Sequence, residues 1–312
     1  MPTIHSLEPE RQNLIGCFSR EHAPILVIQS GDTVRYRTLD ADWGVEPLSS
    51  RTTPRRLFEP RTEDDKGHAV IGPIAIQGAQ PGMTLEVQIG VVRPGAYGFC
   101  TAGGFTHDVN TRLDLVEGHV GIVHDWALDA TTMTGKNQYG HTVTLRPFMG
   151  VMGMPPDEPG KHSTQPPRFC GGNLDCKELI AGSTLYLPVP VKEGLFYVGD
   201  GHAAQGDGEV SVTAIECPME QVELTFHLHE HLSLPMPRAK TSTGWLTFGF
   251  HKDLREAMYL ALEGMLSLLS ELYQVDRVHA LALASVSVDM RVTQIVNQVL
   301  GVHAFLPHGA IR

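Results

Sequence analysis

Hydrophobic and polar positions alternate in short runs along most of the chain, then change to a helical period near Phe250. Runs at 24–28, 33–37, 71–76, 84–91, 121–126, 142–145, 184–190, 194–199, 209–216 and 222–229 have β character, and Gly and Pro separate them. Gln80-Pro81-Gly82-Met83 places Pro-Gly where a turn joins two strands, and Ser30-Gly31-Asp32 does the same. Many short strands with frequent turn signals predict an antiparallel β-sandwich or a barrel-like body. Beyond Phe250, Met258, Leu262, Met265, Leu269 and Leu272 recur at spacings of three and four. Asp253 stands three positions before Glu256, the spacing of a capping box. This predicts an amphipathic helix over 254–273 whose apolar stripe packs on a core. A shorter helix over 276–284 and strands over 285–292 and 302–307 follow. The expected fold is mostly β, a body over 1–238 that carries the main chemistry. An α+β C-terminal part over 239–312 is packed into the same globule. The Pro-rich segment 154–167 reads as a lid or binding loop.

Composition narrows the function. The 312 residues include 24 Lys+Arg against 35 Asp+Glu, for a net charge of -11. That balance lacks the basic footprint of a nucleic-acid binder. No apolar run approaches the roughly 20 residues needed to span a bilayer. The polar first twelve residues do not resemble a signal peptide. Cys17, Cys100, Cys170, Cys176 and Cys217 are an odd set, read as free thiols in a reducing cytoplasm. The expectation is a cytoplasmic enzyme, with no nucleic-acid or membrane partner, assembled as a homodimer or higher homo-oligomer.

The densest chemistry lies between Gly171 and Glu216. The stretch Gly199-Asp200-Gly201-His202-Ala203-Ala204-Gln205-Gly206-Asp207-Gly208-Glu209 packs carboxylates, a histidine and glycines between two candidate strands. If those strands pair as a hairpin, Asp200, His202 and Glu209 converge, a carboxylate–imidazole set of the kind that holds a divalent metal. The alternatives are a structural His202, Asp207 as a turn residue and Asp175 as an Asx-turn residue. Glu216 falls in phase with Val210, Val212 and Ala214, so it faces the apolar side of a strand there and its pKa rises. That suits a proton shuttle; the alternative is a solvated or Arg-paired carboxylate. His227, His229 and His231 share one strand face and read as surface histidines. Neither a Gly-x-Ser-x-Gly elbow, a P-loop, a dinucleotide fingerprint nor a Cys-x-x-Cys motif occurs. Cys170 reads as a buried structural thiol.

Several of these blocks resemble the acetamidase/formamidase family of amide hydrolases. They are Gly171-Gly172-Asn173-Leu174-Asp175, the segment Gly-Ser-Thr-Leu-Tyr-Leu-Pro-Val at 182–189, and the block at 199–209. Gly-Pro-Ile-Ala-Ile-Gln-Gly-Ala-Gln-Pro-Gly-Met at 72–83, Arg-Pro-Phe-Met-Gly-Val-Met-Gly-Met at 146–154 and Ser287 to Gln294 extend the likeness over nearly the whole chain. The resemblance implies cleavage of a short carboxamide to carboxylate and ammonia, a β-rich fold and a bound divalent metal. Zinc is the first choice, with calcium, nickel or manganese as alternatives. Asp175, His202, Glu209 and Asp289 are the expected metal ligands. Glu216, Asp200 and Asn173 are the expected catalytic groups, as acid/base, ligand or orienter, and oxyanion donor. Cys170 replaces the His usual before Gly-Gly-Asn, and Met83 replaces an Asp. Rival readings are a non-catalytic metal- or ligand-binding β-sandwich, and a hydrolase of a cyclic amide, urea or carbamate.

Overall fold

A computed structural model describes residues 2–312. Along the strand Thr84–Pro94, Leu85, Val87 and Ile89 are buried while Gln88 and Gly90 face out. This period of two places one face against the core. The strand lies inside a nine-stranded sheet in the order 4–7, 33–36, 219–229, 84–94, 184–188, 238–240, 244–251, 300–307, 289–294. Its pairs are antiparallel except the first, where Ile4–Leu7 runs parallel to Thr33–Tyr36. Arg238–Lys240 pairs with Thr184–Pro188 on one side and Gly244–His251 on the other. The C-terminal strands therefore continue the sheet begun by the body.

A second sheet runs 171–173, 148–153, 196–202, 70–76, 14–15, with Leu26–Ile28 added parallel to Val70–Ile76. Every residue of Phe148–Gly153, Phe196–His202 and Val70–Ile76 is buried. This inner layer carries the candidate site. A four-stranded sheet, 142–144, 134–137, 122–129, 97–102, flanks it.

The helix Leu254–Tyr273 matches the predicted span, and Asp253 Oδ1 accepts from Arg255 N at 2.8 Å and Glu256 N at 3.2 Å. Ala257, Ala261, Met265, Leu266, Leu268 and Leu269 are buried; of the expected stripe Met265 and Leu269 are among them, Met258 and Leu262 are half-buried at its margin, and Leu272 is exposed. Gly249 lets the helix sit against strand Gly244–His251, because a Cβ there would fall 2.0 Å from Ala257 O. The second helix is Arg277–Ser287, so 285–287 are helical and the following strand starts at Asp289. Among the described residues no helix is long and apolar enough to cross a membrane.

The expected strand over 209–216 does not form. Glu209 and Val212 have φ of 47° and 76°, in the left-handed region, where a strand cannot continue. The segment is a loop touching its neighbours through isolated bridges of Glu216 with Phe99 and with His202. The Pro-rich segment is tied down in its middle, where His162–Ser163 pairs with Cys17–Phe18.

Candidate active site

Five ionisable side chains meet at one end of the inner sheet. Asp200 and His202 close the strand Phe196–His202, Asp175 follows the strand Gly171–Asn173, and Glu209 and Glu216 come from the loop beyond. Each is at most 5% exposed. The convergence expected from a hairpin occurs by another route. Asp175, Asp200 and Glu209 sit at φ of 46°, 60° and 47°. Left-handed backbone at a non-glycine residue costs on the order of 1–3 kcal/mol, and such strain concentrates at functional sites.

Gly150 makes room for the two aspartates. A Cβ on it would lie 2.5 Å from Asp200 Oδ2 and 2.6 Å from Asp175 Oδ1. The two carboxylates thus lie over the strand Phe148–Gly153, where any other residue would put its own side chain.

Hydrogen bonds fix how the imidazole presents itself. Gln205 Nε2 donates to the Asp175 carbonyl at 2.7 Å. A carbonyl only accepts, so the Gln205 Oε1 is left to accept from His202 Nδ1 at 2.9 Å. His202 Nε2 then faces Asp200 Oδ1 at 3.3 Å and Glu216 Oε2 at 3.1 Å. The Phe148 ring packs edge-on against the imidazole, 5.1 Å between centroids. Glu216 Oε1 accepts from Ala214 N at 2.9 Å, and Asn297 Nδ2 donates to Asp175 Oδ2.

Burial and mutual repulsion then set the charges. Burial alone lowers the His202 pKa, but Glu216 and Asp200 beside it hold it well above the ordinary value. Burial also opposes ionisation of Asp200, yet His202 and His68 outweigh it and keep that carboxyl below the usual range. Glu216 is pushed up to about 8, by burial first and with His202 opposing. Burial, and then the Asp175 charge, push Glu209 well up. Burial raises Asp175 as well, with His202 opposing. In the protein alone His202 is therefore charge-paired with Asp200, and the other three carboxyls are held above their ordinary pKa values.

Three carboxylate oxygens, Asp175 Oδ1, Glu209 Oε2 and Glu216 Oε2, lack an aligned hydrogen-bond donor among the described residues. Buried polar atoms without partners are rare in native proteins. Two triads, Asp175–Asp200–His202 and His202–Glu209–Glu216, each bring one ligand atom per residue within 4.8 Å of the others. Orphaned oxygens around an oriented imidazole fit a divalent cation, whose charge would favour the ionised carboxylates.

Two expected residues stand apart. Asp289 is exposed at the start of Asp289–Gln294, and its carboxylate meets Arg291 at 3.2 Å. It is removed from the ligand set, because it stands at the exposed first position of the edge strand and its carboxylate is paired with Arg291. Asn173 is buried in the sheet beside the cluster, and its Oδ1 has no partner among the described residues. Asp207 pairs with Lys177 at 3.1 Å. The thiol of Cys170 is buried, donates to Met154 O at 3.2 Å, and has its pKa pushed up to about 12 by burial. That makes it a structural thiol rather than a nucleophile. Gln205, Gly150, Asn297 and His68 are the site residues that sequence reasoning gave no role. The first two lie inside quoted motifs; Asn297 carries no local signal. A cavity of about 400 Å³ adjoins the cluster through Gln205 and Glu209.

The model of the Acetamidase/Formamidase family matches residues 158–308. A formamidase from Methylophilus methylotrophus is 29% identical over 235 residues, 60% of this chain and 57% of that protein. The chain thus aligns with little more than half the length of that relative. An acetamidase from Mycolicibacterium smegmatis is 46% identical over 48 residues, 15% of this chain and 12% of that one. The crystal structure of an acetamidase from Bacillus halodurans superposes with a TM-score of 0.84 at 27% identity, covering 97% of each chain. That of an acetamidase from Yersinia enterocolitica gives 0.85 at 26%, covering 100% of this chain and 94% of the other. The motifs, a family model over just under half of the chain and folds that superpose over nearly its whole length all make the chain similar to the acetamidase/formamidase family.

Proposed function

We propose that this chain is an amidohydrolase that cleaves the C–N bond of a linear primary carboxamide, giving carboxylate and ammonia, at the buried Asp175–Asp200–His202–Glu209–Glu216 cluster. The observation that carries this reading is the set of buried carboxylate oxygens left without donors around one oriented imidazole. Amides resist hydrolysis because the carbonyl is resonance-stabilised and the nitrogen leaves only when protonated. A divalent cation, zinc first, held by Asp175, His202 and Glu209, supplies when bound a water acidified to near neutrality and polarisation of the carbonyl.

The remaining roles belong to the chain. Gln205 keeps the His202 proton on Nδ1 and leaves Nε2 directed into the cluster. Asp200 steadies the imidazole from the side. Glu216 holds a proton near neutral pH and passes it to the departing nitrogen as the carbonyl C–N bond breaks and the water oxygen stays on carbon. Asn173 lies beside the cluster as the side-chain donor for the oxyanion. The reading keeps the chain in the cytoplasm, in line with five free thiols, and as a homodimer or larger homo-oligomer.

The test is ammonia release from formamide and acetamide by protein purified without added metal, with metal content measured by elemental analysis before and after chelation. Activity lost on chelation and restored by one ion supports the reading and identifies the ion. An Asp175→Ala variant is expected to lose both metal and activity. Metal-loaded protein that hydrolyses no carboxamide refutes the hydrolase, and activity that persists after complete metal removal refutes the role of the cation.

A further inference from the structure

We propose that the outer edge of the nine-stranded sheet is a two-fold interface, where the strand Asp289–Gln294 pairs antiparallel with the same strand of a second copy of this chain, with the axis at Met290. That strand ends the sheet. Leu300–Pro307 lies on one side of it and, among the described residues, no strand lies on the other. Only its far end is covered, by Gly208, which bridges Gln294. Along 288–292 the backbone therefore presents outward N–H and C=O groups, a template for another strand unless something blunts it. Positions 288–292 hold neither proline nor lysine, and the irregularity in the strand falls after Val292.

The occupant is argued from charge, because this edge is complementary to itself. Read antiparallel from Met290, Val288-Asp289-Met290-Arg291-Val292 sets Val288 opposite Val292, Asp289 opposite Arg291 and Met290 opposite Met290. A two-fold axis makes each unlike contact twice. Residues opposite one another in an antiparallel pair lie on the same face, where opposite charges stabilise and like charges destabilise. An axis at Asp289 or at Arg291 would instead oppose like charges. Arg291 meets its own Asp289 at 3.2 Å and Glu178 at 3.4 Å, and the Asp289 side chain remains 65% exposed. The second copy's Arg291 then completes a ring of four alternating charges. The edge is locally neutral in a chain whose net charge of -11 drives copies apart elsewhere. The same register accounts for apolar side chains left in water. It brings the end of the helix Arg277–Ser287 in one copy to the end of the strand in the other, where Gly208 bridges Gln294. Val286 at that helix end is 83% exposed, Val210 beside the bridge 61%, and Met290 at the axis 37%. Pairing covers all three.

The test reads mass rather than ammonia, so its outcome is separate from that of the amidohydrolase reading. Sedimentation velocity over a concentration series is expected to show the wild-type protein at twice the chain mass or an even multiple of it. Asp289→Arg places Arg opposite Arg at both ends of the pairing. Two attractions are lost and two repulsions gained, each worth about two- to threefold, so the dissociation constant of the pair should rise about thirtyfold. Met290→Cys brings two thiols together at the axis and is expected to give a covalent dimer with a short bis-maleimide. The wild-type protein treated alike is the control, because Cys100 is half-buried and the other four thiols are buried. A wild-type monomer or trimer overturns the proposal, and so does an assembly whose dissociation constant Asp289→Arg leaves unchanged. If melting curves show that Asp289→Arg does not fold, the crosslink decides. A covalent dimer formed by Met290→Cys and not by the wild-type protein supports the interface, and its absence overturns it.

Discussion

Replacing Gly150 with alanine tests whether the aspartate pair over the strand Phe148–Gly153 is the working centre. The added Cβ would lie 2.5 Å from Asp200 Oδ2 and 2.6 Å from Asp175 Oδ1. Carbon and carboxylate oxygen rest at about 3.3–3.6 Å even in weak contacts, so each oxygen must retreat by about 0.7–1 Å. A displacement of about 1 Å in a reacting constellation costs about 100-fold in rate. The expected loss in kcat/KM for ammonia release is therefore about 100-fold, or about 2.7 kcal/mol. The fold should survive. Gly150 is not one of the residues at positive φ, so alanine meets no backbone penalty. Overpacking costs about 1–3 kcal/mol, and the gain of Ala over Gly within a strand returns about 0.5–1 of it. The melting temperature should fall by no more than about 10 °C. The assay pairs ammonia release with calorimetry and elemental analysis on the same preparations. A Gly150→Ala protein with near-wild-type melting that also keeps activity within threefold would refute the placement of the reaction over these carboxylates.

Two other features make predictions of their own. Asp40 is enclosed, and Arg55 grips it through two contacts, Nη1 to Oδ2 at 2.6 Å and Nη2 to Oδ1 at 3.1 Å. Arg55→Ala strands that carboxylate and should lower unfolding free energy by about 3–5 kcal/mol in denaturant titrations, whereas removing both partners together should recover much of the loss. His303 is buried against Thr293, Oγ1 to Nδ1 at 2.8 Å, and burial lowers its pKa to about 4. Its folded pKa lies below the unfolded value of about 6.5, so the stability it contributes is full above that value and lost as pH falls from there toward 4. Calorimetry across that window should show the wild-type protein losing about 3 kcal/mol more than His303→Gln; parallel curves would refute it.

Much of this was legible from period and punctuation. The span of the helix Leu254–Tyr273 was readable from its period and its cap, although its buried face sits beside the expected stripe, and strands such as Thr84–Pro94 were readable because one face alternates. Phe148–Gly153 and Gly171–Asn173 were not, since both faces are buried and glycine replaces the β-branched signal. Glycine likewise interrupts Tyr97–Ala102 and Gly244–His251 and masks their strand pattern. At the site, Asp175, Asp200, His202, Glu209 and Glu216 were all visible as residue types packed into short blocks. The hairpin invoked to bring them together was wrong, because positive φ at Glu209 and Val212 turns that segment into a loop. A motif match does not say that Asp289 stands at the exposed first position of an edge strand, away from the cluster. Asn297 lies 122 positions from the carboxylate it serves, and no local pattern encodes such a contact.

That long-range contact also bears on how the protein is made. Chains emerge from the ribosome at about 5–20 residues per second, so about 6–24 s pass between the appearance of Asp175 and of Asn297. Gly208 waits similarly for Gln294, its partner in a parallel bridge. During that interval the growing polypeptide holds its acidic residues without the amide that later caps Asp175. The centre is thus among the final parts of the molecule to close, and a nascent chain halted before Gln294 would carry every ionisable group of the cluster in an unfinished enclosure.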